Sequence, residues 1–122
     1  MKLQDDFFKI TDIQTGDNSA CYSLKLNADH PVYAAHFPKN PITPGVCIIQ
    51  MVKELVESFR QQTLFLKKVA SVRFLNVINP LEHSTVTIEF GLKNNDNTEN
   101  VTATVSKGDL TFAKMTLVLI PE

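Results

Sequence analysis

Four stretches of the chain alternate apolar and polar side chains with a period of two. Ala20, Tyr22, Leu24 and Leu26 interleave with Cys21, Ser23 and Lys25. Val86, Ile88 and Phe90 interleave with Thr85, Thr87 and Glu89, and Val101, Ala103 and Val105 with Thr102 and Thr104. Ala113, Met115, Leu117 and Leu119 share one face of residues 110–120. Successive strand side chains point to opposite faces of a sheet, so each stretch predicts a half-buried strand. Residues 7–14 predict a first strand, and residues 65–78 carry another that ends in the run FLNVINP. Lys93–Glu99 reads as a hairpin loop and Lys107-Gly108-Asp109 as a tight turn.

One stretch has the helical period instead. Ile48, Val52, Leu55, Val56 and Phe59 form an apolar face, while Gln50, Glu54, Glu57 and Gln61 fall along one side at spacings of three and four. Thr43 suits the N-cap and Pro44 the first helical position, and the helix should run to about Gln61. Before it, residues 27–43 hold Pro31, Pro38 and Pro41, and read as a loop with little regular structure. So long a loop in a compact domain usually serves function. The order is strand, strand, loop, long helix, four strands. This is an α+β class in which the helix must bury its apolar side against one face of the sheet.

Composition narrows the picture. The chain has 122 residues, the size of one domain spanning 1–122, and 43% are hydrophobic, enough for a core. A small domain buries a modest share of its surface, which favours dimerisation. The formal charge is −1 and the sequence pI about 6.3, so no basic excess points to nucleic acid or an anionic membrane. No apolar run is long enough to span a bilayer. Asp5 and Asp6 interrupt what would be a signal peptide's apolar stretch, so a cytoplasmic location is expected. Cys21 and Cys47 lack metal-ligand spacing, so free thiols and no metal site are expected.

The specific chemistry lies at the start of the helix. Residues 36–46 read His-Phe-Pro-Lys-Asn-Pro-Ile-Thr-Pro-Gly-Val, preceded by Asn27, Pro31 and Tyr33. This run resembles the HFPG-x-P-x-x-PGV motif of the 3-hydroxyacyl-carrier-protein dehydratases (FabZ- and FabA-like). The resemblance covers roughly residues 27–57, and FLNVINP matches a downstream strand of that family more weakly. It implies a hotdog fold, an antiparallel sheet wrapped around one long central helix. It also implies a homodimer or higher homo-oligomer whose active sites lie at the dimer interface. The acyl chain would occupy a tunnel, delivered on the phosphopantetheine arm of an acyl carrier protein, with no cofactor bound by the chain itself. The implied reaction removes water from a 3-hydroxyacyl thioester to give a trans-2-enoyl thioester, in fatty acid or polyene-type synthesis.

Each residue type fits that chemistry. His36 would take the proton at C2, since histidine titrates near neutral pH. Backbone amides at Gly45 and Val46, just after Pro44, would stabilise the charge that develops on the thioester carbonyl. Phe37 belongs with them in the substrate site. The resemblance places an acidic residue fourteen positions after the histidine, and here that position is Gln50. An amide hydrogen-bonds a hydroxyl but donates no proton by ionising. The family's E-x-x-x-Q becomes Q-x-x-x-E, Gln50 to Glu54, and positions four apart share a helix face. Glu54 is therefore expected to supply the carboxylate, reaching His36 of the partner subunit directly or through water.

Ala35 and Lys39 stand where the family carries glycine. Cys47 is expected as a small apolar filler, and Val46, Ile48, Ile49 and Met51 as tunnel wall or core. Lys39, Lys67, Lys68 and Arg73 are candidate contacts to an acidic carrier protein, with solvated strand ends the simpler reading. His30 and His83 receive no role. Two other readings are a non-catalytic acyl-carrier-binding or partner hotdog subunit, which Gln50 favours, and an acyl thioesterase.

Overall fold

The computed structural model describes residues 2–35 and 39–122. Six strands and two helices follow in the order β1 (Phe8–Thr15), β2 (Ser19–Leu26), α1 (Pro31–Ala35), α2 (Gly45–Arg60), β3 (Leu64–Phe74), β4 (Thr85–Asn95), β5 (Thr98–Lys107) and β6 (Leu110–Pro121). All six strands join one antiparallel sheet in the order β1-β2-β4-β5-β6-β3. β1 and β3 are thus its two edges.

The alternation seen in the sequence is the burial pattern of the sheet. Ala20, Tyr22, Leu24, Val86, Ile88, Phe90, Val101, Ala103, Val105, Ala113, Met115, Leu117 and Leu119 are all buried. They form one cluster with Met51, Val52, Leu55 and Val56 of α2, so the helix lies on the apolar face of the sheet. Each of these four helical side chains is 0% exposed. Burying one such side chain contributes roughly 1.5–3 kcal/mol.

Several elements depart from the expectation. Pro31–Ala35 is helical rather than irregular. Proline fits the first helical position because its missing N–H would be unpaired there anyway. His30 Nδ1 accepts the Val32 N–H at 3.1 Å and caps this short helix. Lys93–Glu99 is not a loop: β4 continues to Asn95 and β5 begins at Thr98, so only Asp96 and Asn97 turn. Both have positive φ, 48° and 65°, which a type I′ hairpin requires and which Asp and Asn tolerate. The strand over 65–78 ends at Phe74. Beyond it the Leu75 and Asn76 amides both donate to the Phe112 carbonyl, at 2.8 and 3.2 Å, and Thr43 N–H donates to the Ile78 carbonyl at 2.9 Å. That segment leaves the sheet and crosses to the start of α2.

The far end of α2 is tied to the sheet by charge. Arg60 is ion-paired with the buried Glu99 of β5, and its guanidinium also donates to Asn18 Oδ1 at 3.2 Å. Asn94 Nδ2 donates to the second Glu99 oxygen at 3.0 Å. Among the described residues no helix is long and apolar enough to cross a membrane, and no cluster of His, Cys, Asp and Glu could hold a metal ion.

Candidate active site

Thr43, expected as the N-cap of α2, faces the protein interior instead. It is 4% exposed, and its hydroxyl is 2.8 Å from that of Tyr33. Pro44 takes the N-cap position in extended geometry (φ −62°, ψ 143°), with no side chain capping the helix. Its carbonyl accepts the Cys47 and Ile48 amides at 3.0 and 3.2 Å. The first N–H groups of a helix have no intrahelical acceptor. Among the described residues Gly45 N–H and Val46 N–H have none elsewhere either.

Gly45 is small for a local reason. A Cβ there would lie 2.6 Å from Cζ of Phe74, whose ring covers the first turn of α2. Beside it is a largely apolar cavity of about 540 Å³, walled by Ile42, Gly45, Ile48, Phe74, Val77 and Ile78. Val46, in the first turn of the helix, is 65% exposed. Of the residues expected to wall a tunnel, Ile48 lines this cavity, Met51 belongs to the core, and Ile49 is half-buried.

Gln50 and Glu54 follow along α2, and the structure joins them. Gln50 Nε2 donates to Glu54 Oε2 at 2.9 Å. Glu54 is only 6% exposed, so it is not part of a solvated helix face. Its carboxylate also accepts two backbone amides, Leu3 N–H to Oε2 at 2.7 Å and Gln4 N–H to Oε1 at 2.8 Å. Sequence spacing pairs Gln50 with Glu54, but nothing local signals the other two donors, which lie 51 and 50 residues away. A polar cavity of about 460 Å³ opens beside the pair, with Lys2, Lys53 and Glu57 around it. Lys53 and Glu57 are ion-paired at 3.4 Å, and Glu57 also accepts the Leu64 N–H at 2.8 Å.

His36 and Phe37 lie outside the described residues. Tyr33, in the middle of α1, precedes them in the sequence. Its ring stacks on Phe7 with centroids 5.4 Å apart and planes at 22°. Burial pushes its phenol pKa up to about 12, with the Thr43 bond acting in the opposite sense. His30 packs edge-on against Phe7 at 5.2 Å, and its Nε2 meets the Asp6 carboxylate at 3.2 Å. Its role is structural. His83 packs against Phe112, with its Nδ1 buried and unpartnered among the described residues. Burial raises the pKa of the Cys47 thiol, which suits a filler better than a nucleophile. Lys39, Lys67, Lys68 and Arg73 are exposed. A depression of about 700 Å³ lies against β2, β4 and β5 around Cys21, Glu89 and Thr102. Those positions alternate with the buried ones, so it sits on the sheet face opposite the helix and holds none of the candidate residues.

The profile of a family described as ApeI-like, ApeI dehydratase, matches residues 12–113. The 3-hydroxyacyl-(acyl-carrier-protein) dehydratase FabZ of Levilactobacillus brevis is 25% identical over 118 residues, covering 85% of this chain and 78% of that one. Among solved structures, the dehydratase heterocomplex ApeI:P from Xenorhabdus doucetiae superposes with a TM-score of 0.77 at 18% identity, over 92% of this chain and 96% of that chain. A hypothetical thioesterase with coenzyme A from Streptococcus pneumoniae superposes with a TM-score of 0.67 at 10% identity, over 94% and 85%. At such identities the structural likeness speaks for the fold, which is the hotdog fold.

Proposed function

The chain belongs to the ApeI-like dehydratase family, and from that premise we propose that it removes water from 3-hydroxyacyl thioesters on an acyl carrier protein, in fatty acid or polyene-type synthesis. The observation that carries this reading is that the Gly45 and Val46 amides, at the end of the His36 motif and beside an apolar cavity, have no acceptor among the described residues. His36 takes the C2 proton. The two amides hold the thioester oxygen as it gains charge. Phe37 and Pro44 are proposed to contact the substrate. Gln50 holds the 3-hydroxyl, and Glu54 fixes the Gln50 amide from behind. With Glu54 already accepting three N–H groups, the proton that leaves with the hydroxyl comes back from the His36 imidazolium. One C–H and one C–O bond break, a C=C bond forms, and the departing hydroxyl and proton make water. No cofactor beyond the carrier's phosphopantetheine is proposed.

β3 supports assembly into a homodimer or higher homo-oligomer. It is an edge strand, and Phe65, Val69 and Phe74 on it are 54%, 38% and 50% exposed. Natural proteins seldom leave so long an apolar edge unpaired. Lys67, Lys68 and Arg73 on the same strand suit an acidic carrier protein. A cytoplasmic location fits these substrates.

A second reading has a specific observation behind it. Glu54 is occupied, so the chain lacks a free carboxylate on α2 near Gln50, as expected of a subunit that binds carrier protein and leaves turnover to a partner, as in a heterocomplex. Mass spectrometry of a carrier protein loaded with a short 3-hydroxyacyl chain separates the readings. Loss of one water that disappears in His36→Ala supports the dehydratase. An unchanged acyl mass with carrier protein bound supports the partner subunit. Release of a free acid indicates a thioesterase and overturns both.

A further inference from the structure

We propose that Tyr33 and Thr43 are positioning residues for this reaction, their buried hydroxyl pair holding α1 against the segment that leads into α2. The inference rests on the dehydratase reading and adds to it a specific clasp. The two hydroxyl oxygens are 2.8 Å apart and ten residues apart in sequence, and the residues are 3% and 4% exposed. The chain between them includes His36, while Gly45 and Val46 follow two and three residues after Thr43. One hydrogen bond thus closes the stretch of sequence that holds the base and ends two residues before the amide donors, the groups whose separation must match a single substrate.

Both members are held from behind. Phe7 stacks on the Tyr33 ring, and the Tyr33 N–H donates to the His30 carbonyl at 3.0 Å. Thr43 N–H donates to the Ile78 carbonyl at 2.9 Å. The clasp therefore joins two anchored frames. A buried hydroxyl left unpaired is unfavourable, so the pair resists opening. The raised Tyr33 phenol stays protonated throughout the neutral range, so the bond persists there.

Tyr33→Phe keeps the stacked ring and removes one hydroxyl. Thr43→Val keeps the shape and removes the other, and Thr43→Ser restores it. On the carrier-bound substrate we expect Tyr33→Phe and Thr43→Val to lower kcat about ten- to a hundred-fold with KM changed less than about twofold, as misplacement of reacting groups does. Thr43→Ser should retain kcat, and the double variant should lose little more than either single one. Amide resonances of Gly45 and Val46 in NMR spectra of the folded protein supply a readout that needs no turnover. They should shift or broaden in Tyr33→Phe and Thr43→Val and return in Thr43→Ser. Folded variants with wild-type kcat overturn the proposal. If the wild type shows no dehydration, the functional reading fails on its own, and the resonances still decide the clasp: unchanged Gly45 and Val46 signals refute it.

Discussion

Glu54→Gln tests the most consequential side chain in the molecule. The replacement has nearly the same shape but exchanges one acceptor oxygen for an NH2 group. Glu54 receives three N–H donors, from Leu3, Gln4 and Gln50. Glutamine can keep its oxygen on one backbone amide, and its NH2 then faces another donor. Leu3 is 3% exposed, so water cannot readily replace the lost acceptor. Hydrogen bonds to a charged group contribute roughly 1.5–3 kcal/mol, and an unsatisfied buried donor is unfavourable by about 1–3 kcal/mol. Allowing for relaxation of the exposed part, the expected loss is about 2–4 kcal/mol. With a urea m-value on the order of 2 kcal/mol/M, the unfolding midpoint should fall by about 1–2 M. The assay is urea titration followed by circular dichroism, with the dehydration rate measured on the folded protein at zero urea. A midpoint within about 0.3 M of wild type, together with abolished turnover, would refute the anchoring argument and return Glu54 to the role of proton donor.

Three further outcomes are expected. Arg60→Met strands the buried Glu99 carboxylate and should destabilise by about 3–5 kcal/mol, while the Arg60→Met, Glu99→Met pair should recover much of that loss in thermal melts. Gly45→Ala forces the Phe74 ring aside and should slow dehydration, and adding Phe74→Leu should restore the rate, because the three atoms nearest to an added Cβ all belong to that ring. Tyr33 titrates from an ordinary value near 10 in the unfolded chain to about 12 when folded. Its protonated form is the one the fold favours. Its contribution is therefore intact below about pH 10 and is lost as pH rises towards 12, by roughly 2–3 kcal/mol. Tyr33→Phe should flatten that limb of a stability–pH curve.

The strands were legible because each is half-buried, so a period of two is written directly into β2, β4, β5 and β6. The helix was legible for the same reason at a period near four, and the His36 motif pointed to the family that the matching profile shows. Residues with two competing uses were harder. Pro31 reads as a loop residue by type, although the His30 cap makes it the first residue of α1. Thr43 fits an N-cap by type, but Tyr33 takes its hydroxyl. Asp96 and Asn97 confine the β4–β5 turn to two residues, a matter of backbone handedness that a polar run conceals. Besides the nearby Gln50 and Asn94, the partners of Glu54 and Glu99 lie 39 to 51 residues away, and no local pattern encodes those.

β3 has a single neighbour in the sheet, and the chain makes that neighbour last. Phe74 pairs with Ala113, 39 positions later, and Phe65 with Ile120, 55 positions later. At synthesis rates of about 5–20 residues per second, β3 waits roughly 2–11 s before β6 exists. Throughout that interval both edges of an apolar strand are open. Two ribosomes on one message would present identical β3 strands to each other before either sheet is complete. Subunit pairing is then a step available during translation, and a chain stopped before Leu110 would carry a strand with no place in its own sheet.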